Sequence, residues 1–264
     1  MITGEPGGPA PALAYGIALL AGASLGSFLN CAAWRIARGK GFVRGRSRCP
    51  SCGRVLRAPE LIPIISWVAL RGRCRGCKGA ISLRYPLCEA LFALLTLLAI
   101  IRSSTVLLFV RNLAFLACLF CLSLVDLETG RIPGGCLAGA ALAWALTSPF
   151  TMSWSEAALR LGAGLFYAAA LLGLSLAMDR LFRRESLGGG DIRLFAVVGL
   201  YLGWAGTLFA LLGSCVLGIA FAALLRRRAD EPFPFGPAIA AASAWVLLYG
   251  QRLTAWYLSL AGII

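Results

Sequence analysis

A series of long apolar runs is the feature that most constrains the fold of this chain. Of its 264 residues, 59% are hydrophobic and 14% are charged, and the mean hydropathy is +0.82. Soluble domains are about 45–50% apolar and about 25% charged, and a membrane-spanning helix needs about 20 apolar residues. We therefore predict an all-α polytopic membrane protein with about eight transmembrane helices. The predicted spans are 12–34, 85–101, 105–125, 136–150, 156–181, 191–203, 207–225 and 237–249.

The basic residues are concentrated between the first two predicted spans. Of the 25 Lys and Arg residues, 13 lie in residues 35–84, where Glu60 is the only acid. With eight spans, this segment, the turn after Val125 and the loops at 180–193 and 226–228 face the same side and carry 21 basic residues. Because basic loops remain in the cytoplasm, we predict that these loops are cytoplasmic.

The chain contains no histidine, and this limits its possible chemistry. A Ser-His-Asp triad, a Cys-His dyad and an H-E-x-x-H zinc hydrolase are all excluded. The only lysines are Lys40 and Lys78, both in the polar segment 35–84, so a Ser-Lys protease has no obvious base. If the protein is a hydrolase, carboxylates must carry out the reaction.

Four of the ten cysteines form two C-x₂-C pairs. Cys49 and Cys52 make the first pair and Cys74 and Cys77 the second, with 21 residues between the pairs. Two such glycine-containing turns are typical of a tetrahedral zinc site, whose four protein ligands leave no open position and indicate a structural role. Free thiols and disulfides are the alternatives, and a cytoplasmic location disfavours disulfides. We predict a small cytoplasmic zinc-binding loop domain at residues 35–84.

The positive charge of this loop domain suggests an anionic partner. A basic zinc ribbon can bind nucleic acid. Because the loop is tethered to the membrane, we expect its arginines to meet anionic lipid or an acidic partner, and we expect no nucleic acid.

Two aspartates lie at the predicted cytoplasmic ends of spans. Asp126 ends the third span and Asp191 begins the sixth. Ionisable groups at this depth are costly and usually functional. Two facing carboxylates can share one proton, so that one activates water while the other protonates the developing oxyanion. In the alternative interpretation, Asp191 is only a helix N-cap and Asp126 a solvated charge at a helix end.

Other residues near these spans are candidates for shaping the site. Glu89 lies one turn into the second span, where it would line a site or pair with an arginine. Three consecutive glycines before Asp191 would let the backbone approach a substrate closely and adopt dihedral angles that other residues resist. These glycines are Gly188, Gly189 and Gly190.

Taken together, these motifs resemble the bacterial type IV prepilin peptidases, a family of GxGD aspartic membrane proteases that act as leader peptidases and N-methyltransferases. The resemblance runs nearly end to end. It rests on residues 26–30 with Arg35, residues 47–53 and 73–77 around the cysteines with 62–67 between them, residues 81–89, Asp126 with Ile132 and Pro133, residues 188–191 and residues 234–237. In two departures, Arg193 stands where a lysine is usual, and Gly134 follows Pro133 where an acid is common.

The resemblance implies an enzyme of the bacterial inner membrane. Such enzymes cleave the short basic leader of prepilins or pseudopilins after glycine on the cytoplasmic side, and many methylate the new N-terminus with S-adenosylmethionine. By resemblance, Asp126 and Asp191 are catalytic, with Arg193, Glu89 and the three glycines supporting the substrate site, and the four cysteines bind zinc. The implied organisation is a first span at 12–34, the loop domain at 35–84 and a peptidase core at 85–264.

Two interpretations from other classes stay open. In a small transporter or metal permease, the two aspartates would bind a cation or a proton. A non-catalytic assembly factor would use the zinc loop as a docking module. A preflagellin-type peptidase or a general intramembrane protease is the nearest alternative enzyme.

Overall fold

The computed structural model describes residues 9–41, 45–183, 187–224 and 234–260. Over these ranges the chain forms eight α-helices and a short 3₁₀ helix, Ala58–Leu61, with two isolated β-bridges and no β-strand. The helices are α1 (Pro9–Ile36), α2 (Ile65–Ala69), α3 (Arg84–Arg102), α4 (Val106–Thr129), α5 (Gly134–Thr151), α6 (Trp154–Phe182), α7 (Gly189–Leu224) and α8 (Gly236–Leu260).

Five helices of the described chain are long and apolar enough to cross a membrane. They are α1 from Ala12 onward, α3, α4, α6 and α7, and the Gly236–Gly250 part of α8 is apolar but shorter. Many large apolar side chains on these helices point outward, as a lipid environment requires. The all-α polytopic fold is therefore confirmed, whereas the count of eight spans stays a prediction.

The chain divides into two compact units, residues 1–106 and 107–264. In the first unit α1 and α3 pack side by side in opposite directions. A Cβ atom on Gly26 would lie 2.9 Å from the carbonyl oxygen of Cys88, so this glycine permits close approach of the two helices. One turn nearer the loop domain, Arg84 Nε donates a hydrogen bond to Asn30 Oδ1 at 3.1 Å.

The second unit has its core around α7, which packs against α5, α6 and α8. A Cβ atom on Gly164 in α6 would lie 2.5 Å from the carbonyl oxygen of Ala196 in α7, so these two helices also approach closely. The rings of Phe115 and Tyr201 stack with their centroids 4.0 Å apart. The Tyr201 hydroxyl donates a hydrogen bond to the carbonyl of Ala140 in α5 at 2.8 Å.

Helix α7 is interrupted at Gly203. This residue has φ 67° and ψ −165°, a conformation outside the helical region that glycine adopts readily. Without a break, 36 helical residues would extend about 54 Å, well beyond the roughly 30 Å of a bilayer's hydrocarbon core. Gly203 is also the residue at which the sequence predicts the sixth span to end.

Candidate active site and metal centre

Asp126 lies at the end of α4 and is 4% exposed. Its Oδ2 accepts a hydrogen bond of 2.9 Å from the backbone N–H of Gly236, the first residue of α8. The N–H groups at the start of a helix have no partner within the helix and carry partial positive charge, so they stabilise a carboxylate. Asp126 is therefore not the solvated helix-end charge of the alternative interpretation.

Asp191 is the third residue of α7 and is half-buried. Its backbone N–H donates to the carbonyl of Gly188 at 3.0 Å. The charge of Asp126 acts on the Asp191 carboxyl group, so the two side chains lie within electrostatic range. Folding thus brings two carboxylates that are 65 positions apart near each other, and Asp191 lies inside the first turn of the helix instead of capping it.

The three glycines before Asp191 differ in what surrounds them. A Cβ atom on Gly188 would lie 3.1 Å from Asp191 Oδ2, and one on Gly190 would lie 3.1 Å from the Cβ atom of Ile132, whereas one on Gly189 would meet open space. None of the three has a positive φ. The expectation of unusual dihedral angles is therefore wrong, and close approach explains the need for glycine at two of the three positions.

The two predicted supporting side chains occupy different units. Arg193 is exposed and donates from Nε to the carbonyl of Gly189 at 3.0 Å, within the same helical turn as Asp191. Glu89 belongs to the first unit, where it is 7% exposed and accepts a hydrogen bond of 2.7 Å from the backbone N–H of Ile64.

The sequence indicates that residues 233–237 form a rigid turn into the last span, with a structural or site-shaping role, but it does not identify Gly236 as a donor to Asp126. A Cβ atom at this position would lie 2.7 Å from Asp126 Oδ2, so only glycine allows the observed contact. Pro234 and Pro237 flank the glycine and indicate a rigid turn into an apolar run. That turn is the only sequence signal, because the donor is a backbone amide and carries no side-chain signature.

The four cysteines of the two C-x₂-C pairs form a cluster that could hold a metal ion. Their Sγ atoms all lie within 4.8 Å of one another, and those of Cys49 and Cys77 are 3.9 Å apart. Four thiolates at the Zn–S distance of 2.3 Å have their sulfurs about 3.8 Å apart in a tetrahedron. The donor set and its spacing therefore fit a tetrahedral zinc ion.

The two cysteine turns share one backbone plan. Cys49 N–H donates to the Arg54 carbonyl at 2.9 Å, and Cys74 N–H donates to the Gly79 carbonyl at 2.9 Å, a shift of 25 residues. The two isolated β-bridges are also separated by 25 residues. They pair Arg48 with Val55 and Arg73 with Ala80. The segment 35–84 therefore contains two similar turns, each of which supplies two thiols to the cluster.

Hydrogen-bond donors favour the thiolate form of Cys74 in particular. The backbone N–H of Cys77 and the guanidinium of Arg54 lower the pKa of Cys74 to about 6. Arg54 also forms an ion pair with Glu60, whose pKa is lowered by the backbone N–H of Arg57 and by Arg54. Arg54 thus lies between the cluster and the only acid of the loop domain.

Two family models match the chain. The Bacterial Peptidase A24 N-terminal domain matches residues 20–103, which include the cysteine cluster, and the Type IV leader peptidase family matches residues 113–223, which include both aspartates. Gly236 lies beyond the second match. The comparison with solved structures found no match.

Curated relatives extend this similarity over most of the chain. A prepilin leader peptidase/N-methyltransferase of Myxococcus xanthus is 39% identical over 207 residues, 75% of this chain and 60% of the relative. A protein of the same name from Bacillus subtilis is 33% identical over 252 residues, 93% of this chain and 98% of the relative. A type 4 prepilin-like proteins leader peptide-processing enzyme of Escherichia coli is 34% identical over 259 residues, 87% of this chain and 91% of the relative. The chain therefore belongs to the type IV leader peptidase family.

Proposed function

We propose that this protein is an aspartic membrane peptidase that removes the short basic leader of type IV prepilins or pseudopilins after glycine, with Asp126 and Asp191 as its catalytic pair. The relatives' names support the substrate class. The observation that carries the catalytic assignment is the buried Asp126 carboxylate at the end of α4, beside the first turn of α7 that carries Asp191 and packs on Ile132 of the α4–α5 connection. The transporter and the assembly factor are not favoured by the family membership.

The pair would act by general acid–base catalysis. One carboxylate, ionised, takes a proton from water as the water oxygen attacks the scissile carbonyl carbon. The other, protonated, donates its proton to the carbonyl oxygen. When the tetrahedral intermediate collapses, the C–N bond breaks and the leaving amine takes a proton from the pair. The Gly236 N–H would hold one oxygen of Asp126 in place throughout.

The chain's relatives also carry N-methyltransferase in their names. We propose that this protein methylates the new N-terminus of its product, with S-adenosylmethionine as the methyl donor.

We further propose that Cys49, Cys52, Cys74 and Cys77 bind a structural zinc ion in a loop domain at residues 35–84. With four protein ligands, the ion has no open position for water or substrate. It would fold a segment too small and too polar to form its own core. We expect the basic surface of this domain to meet anionic lipid and not nucleic acid.

An eight-span topology is the arrangement that we favour for the bacterial inner membrane, with the loop domain and both aspartates on the cytoplasmic side. The contacts of α7 support it. Asp191 lies near Asp126, and Gly218 packs against Phe235, the residue before Gly236, which itself contacts Asp126. In one straight helix, residues 191 and 218 would be about 40 Å apart. A reversal of the chain direction at Gly203 would bring residues 191 and 218 to the same end of the helix bundle.

Cleavage of a purified prepilin in detergent tests the catalytic assignment. We expect Asp126→Asn and Asp191→Asn each to lower the cleavage rate by about 10³-fold or more, since neither amide can replace a proton-transferring carboxyl group. Asp179→Asn, which changes another partly buried aspartate in α6, serves as a control and should cleave normally. Full cleavage by either active-site variant would rule out the pair. Cation flux into liposomes without any cleavage by the parent protein would favour the transporter.

A further inference from the structure

An apolar patch interrupts the basic surface of the loop domain. Four large side chains in residues 61–68 are strongly exposed although the surrounding segment 35–84 is highly basic. The exposed fractions are 45% for Leu61, 45% for Ile62, 60% for Ile65 and 61% for Val68. This patch, residues 61–68, is larger than the isolated apolar side chains that soluble surfaces normally show.

The patch is attached to a membrane-spanning helix by a strained turn. Ile64 has φ 62° and ψ −53°, and the N–H of Ile65 donates to the carbonyl of Pro63, which together make a γ-turn with a positive φ. Such turns are rare and strained, above all for a β-branched residue. The Ile64 N–H donates to Glu89 Oε2 at 2.7 Å, and this partly buried bond fixes the turn against α3.

This attachment sets the depth of the patch. Glu89 lies five residues beyond Arg84, the first residue of α3, and thus about 7.5 Å along the helix axis toward its apolar middle. The segment also contacts α1, because Leu61 and Pro63 line a cavity of about 290 Å³ together with Phe28 of that helix. The patch therefore lies beside the apolar parts of both helices and not beyond their ends.

Basic side chains frame the same segment. Arg57 precedes it and Arg71 and Arg73 follow it, and all three are exposed. An apolar segment flanked by cationic side chains is typical of elements that lie in the membrane interface, where the apolar side chains enter the acyl region and the cations meet anionic head groups.

We propose that residues 61–68 insert into the leaflet on the loop-domain side as a re-entrant interfacial segment, with anionic phospholipid as its partner. The insertion holds the loop domain against the membrane at α1 and α3. A soluble protein or a second copy of the chain would have to reach a surface that lies below the ends of two membrane helices. The proposal uses only contacts of the first unit, so it does not depend on the catalytic pair.

Photolabelling from the lipid phase tests this insertion on the unmodified full chain. The protein would be reconstituted in nanodiscs of phosphatidylcholine and phosphatidylglycerol that contain a trace of phospholipid with a diazirine in its acyl chain. Trypsin then releases residues 58–71 as one peptide and residues 49–54, from the first cysteine turn, as another. We expect lipid adducts on peptide 58–71 at least tenfold above those on peptide 49–54. Equal or absent labelling of the two peptides would overturn the proposal.

A paired variant separates insertion from incidental contact. Ile65 and Val68 are exposed, so replacing both with serine should leave the fold intact, as retained thermal stability in detergent would show. We expect Ile65→Ser/Val68→Ser to reduce labelling of peptide 58–71 severalfold, while labelling of the peptides from α1 stays unchanged. If the variant is labelled as strongly as the parent protein, the patch does not insert.

Discussion

The backbone N–H of Gly236 donates to Oδ2 of Asp126 at 2.9 Å and so connects the first residue of α8 to the end of α4, 110 positions earlier in the chain. A carboxylate that is only 4% exposed needs donors to compensate for lost water. Here the compensation comes from a helix N-terminus, and it also fixes the orientation of one carboxylate oxygen. The catalytic geometry that we propose therefore depends on a residue without a side chain.

This contact predicts that Gly236→Ala strongly impairs cleavage. The added Cβ would lie 2.7 Å from Asp126 Oδ2, so the carboxylate must move. A displacement of about 1 Å at a catalytic group can cost about 100-fold in rate, and we expect a loss of this size in the initial rate of prepilin cleavage. Gly135→Ala is the matched control, since nothing lies within 4 Å of its Cβ position. Equal rates for the two variants would show that the contact has no catalytic role.

Substitution of two neighbouring glycines by alanine should have different effects on the cleavage rate. In Gly190→Ala the new methyl group meets the side chain of Ile132 at 3.1 Å and pushes the first turn of α7, which carries Asp191, away from the α4–α5 connection. We expect the cleavage rate to fall at least tenfold. Gly189→Ala places its methyl group in open space and should keep normal activity. A steady-state comparison of the two variants decides this, and a loss in Gly189→Ala as large as in Gly190→Ala would contradict the steric explanation.

The cysteine cluster predicts one tightly bound metal ion per chain. Elemental analysis of the purified protein should give about one zinc per chain, and Cys74→Ser should lower this content substantially because three thiolates remain. Cys215→Ser changes an exposed cysteine outside the cluster and should leave the metal content unchanged. Undiminished zinc in Cys74→Ser would place the metal elsewhere.

Arg54 should strengthen metal binding without touching the ion. Its guanidinium lowers the pKa of Cys74 and forms an ion pair with Glu60, so its positive charge offsets the negative charge of the thiolates. Removal of groups that orient metal ligands typically costs about 10–100-fold in metal affinity. We expect a loss of this size for Arg54→Ala in a competition assay with a chromophoric chelator, and a smaller loss for Arg54→Lys. The control Arg46→Ala, at an exposed arginine, should bind as the parent does, and an equal loss there would indicate a general charge effect.

Stability should depend on the close approach of α6 and α7. Gly164→Ala would place a methyl group 2.5 Å from the carbonyl oxygen of Ala196, and overpacking of this kind costs about 1–3 kcal/mol. We expect a clear decrease in the melting temperature in detergent. Gly173→Ala, on the same helix but facing open space, should be neutral or slightly stabilising. If both variants melt at the parent temperature, the two helices can separate without loss.

The sequence predicts well the features that depend on the types of side chain within a short stretch of the chain. Apolar runs of sufficient length indicate α1, α3, α4 and α6 to within a few residues, and the two C-x₂-C pairs indicate the cysteine cluster. These features are predictable because few types of residue are compatible with a membrane-spanning helix or with thiol chemistry.

The features that the sequence does not reveal are backbone contacts over long distances. The donor to Asp126 is an amide at residue 236, and the donor to Glu89 is an amide at residue 64. An amide is present at nearly every position, so no residue type marks the one that is used. The positive φ of Ile64 is equally hidden, because isoleucine normally avoids that conformation and only the surrounding contacts hold it there.

The pairing of Arg54 with Glu60 has a consequence for the substrate proposed above. The segment 35–84 contains 13 basic residues and one acid, Glu60. The Glu60 carboxylate already forms an ion pair with the guanidinium of Arg54 in the same segment. A basic leader that approaches this domain therefore meets net repulsion over a distance comparable with the Debye length of about 8 Å at physiological salt. For the proposed substrate, the positive charge of the leader would therefore turn it away from residues 35–84, so this segment would not serve as the leader's binding surface.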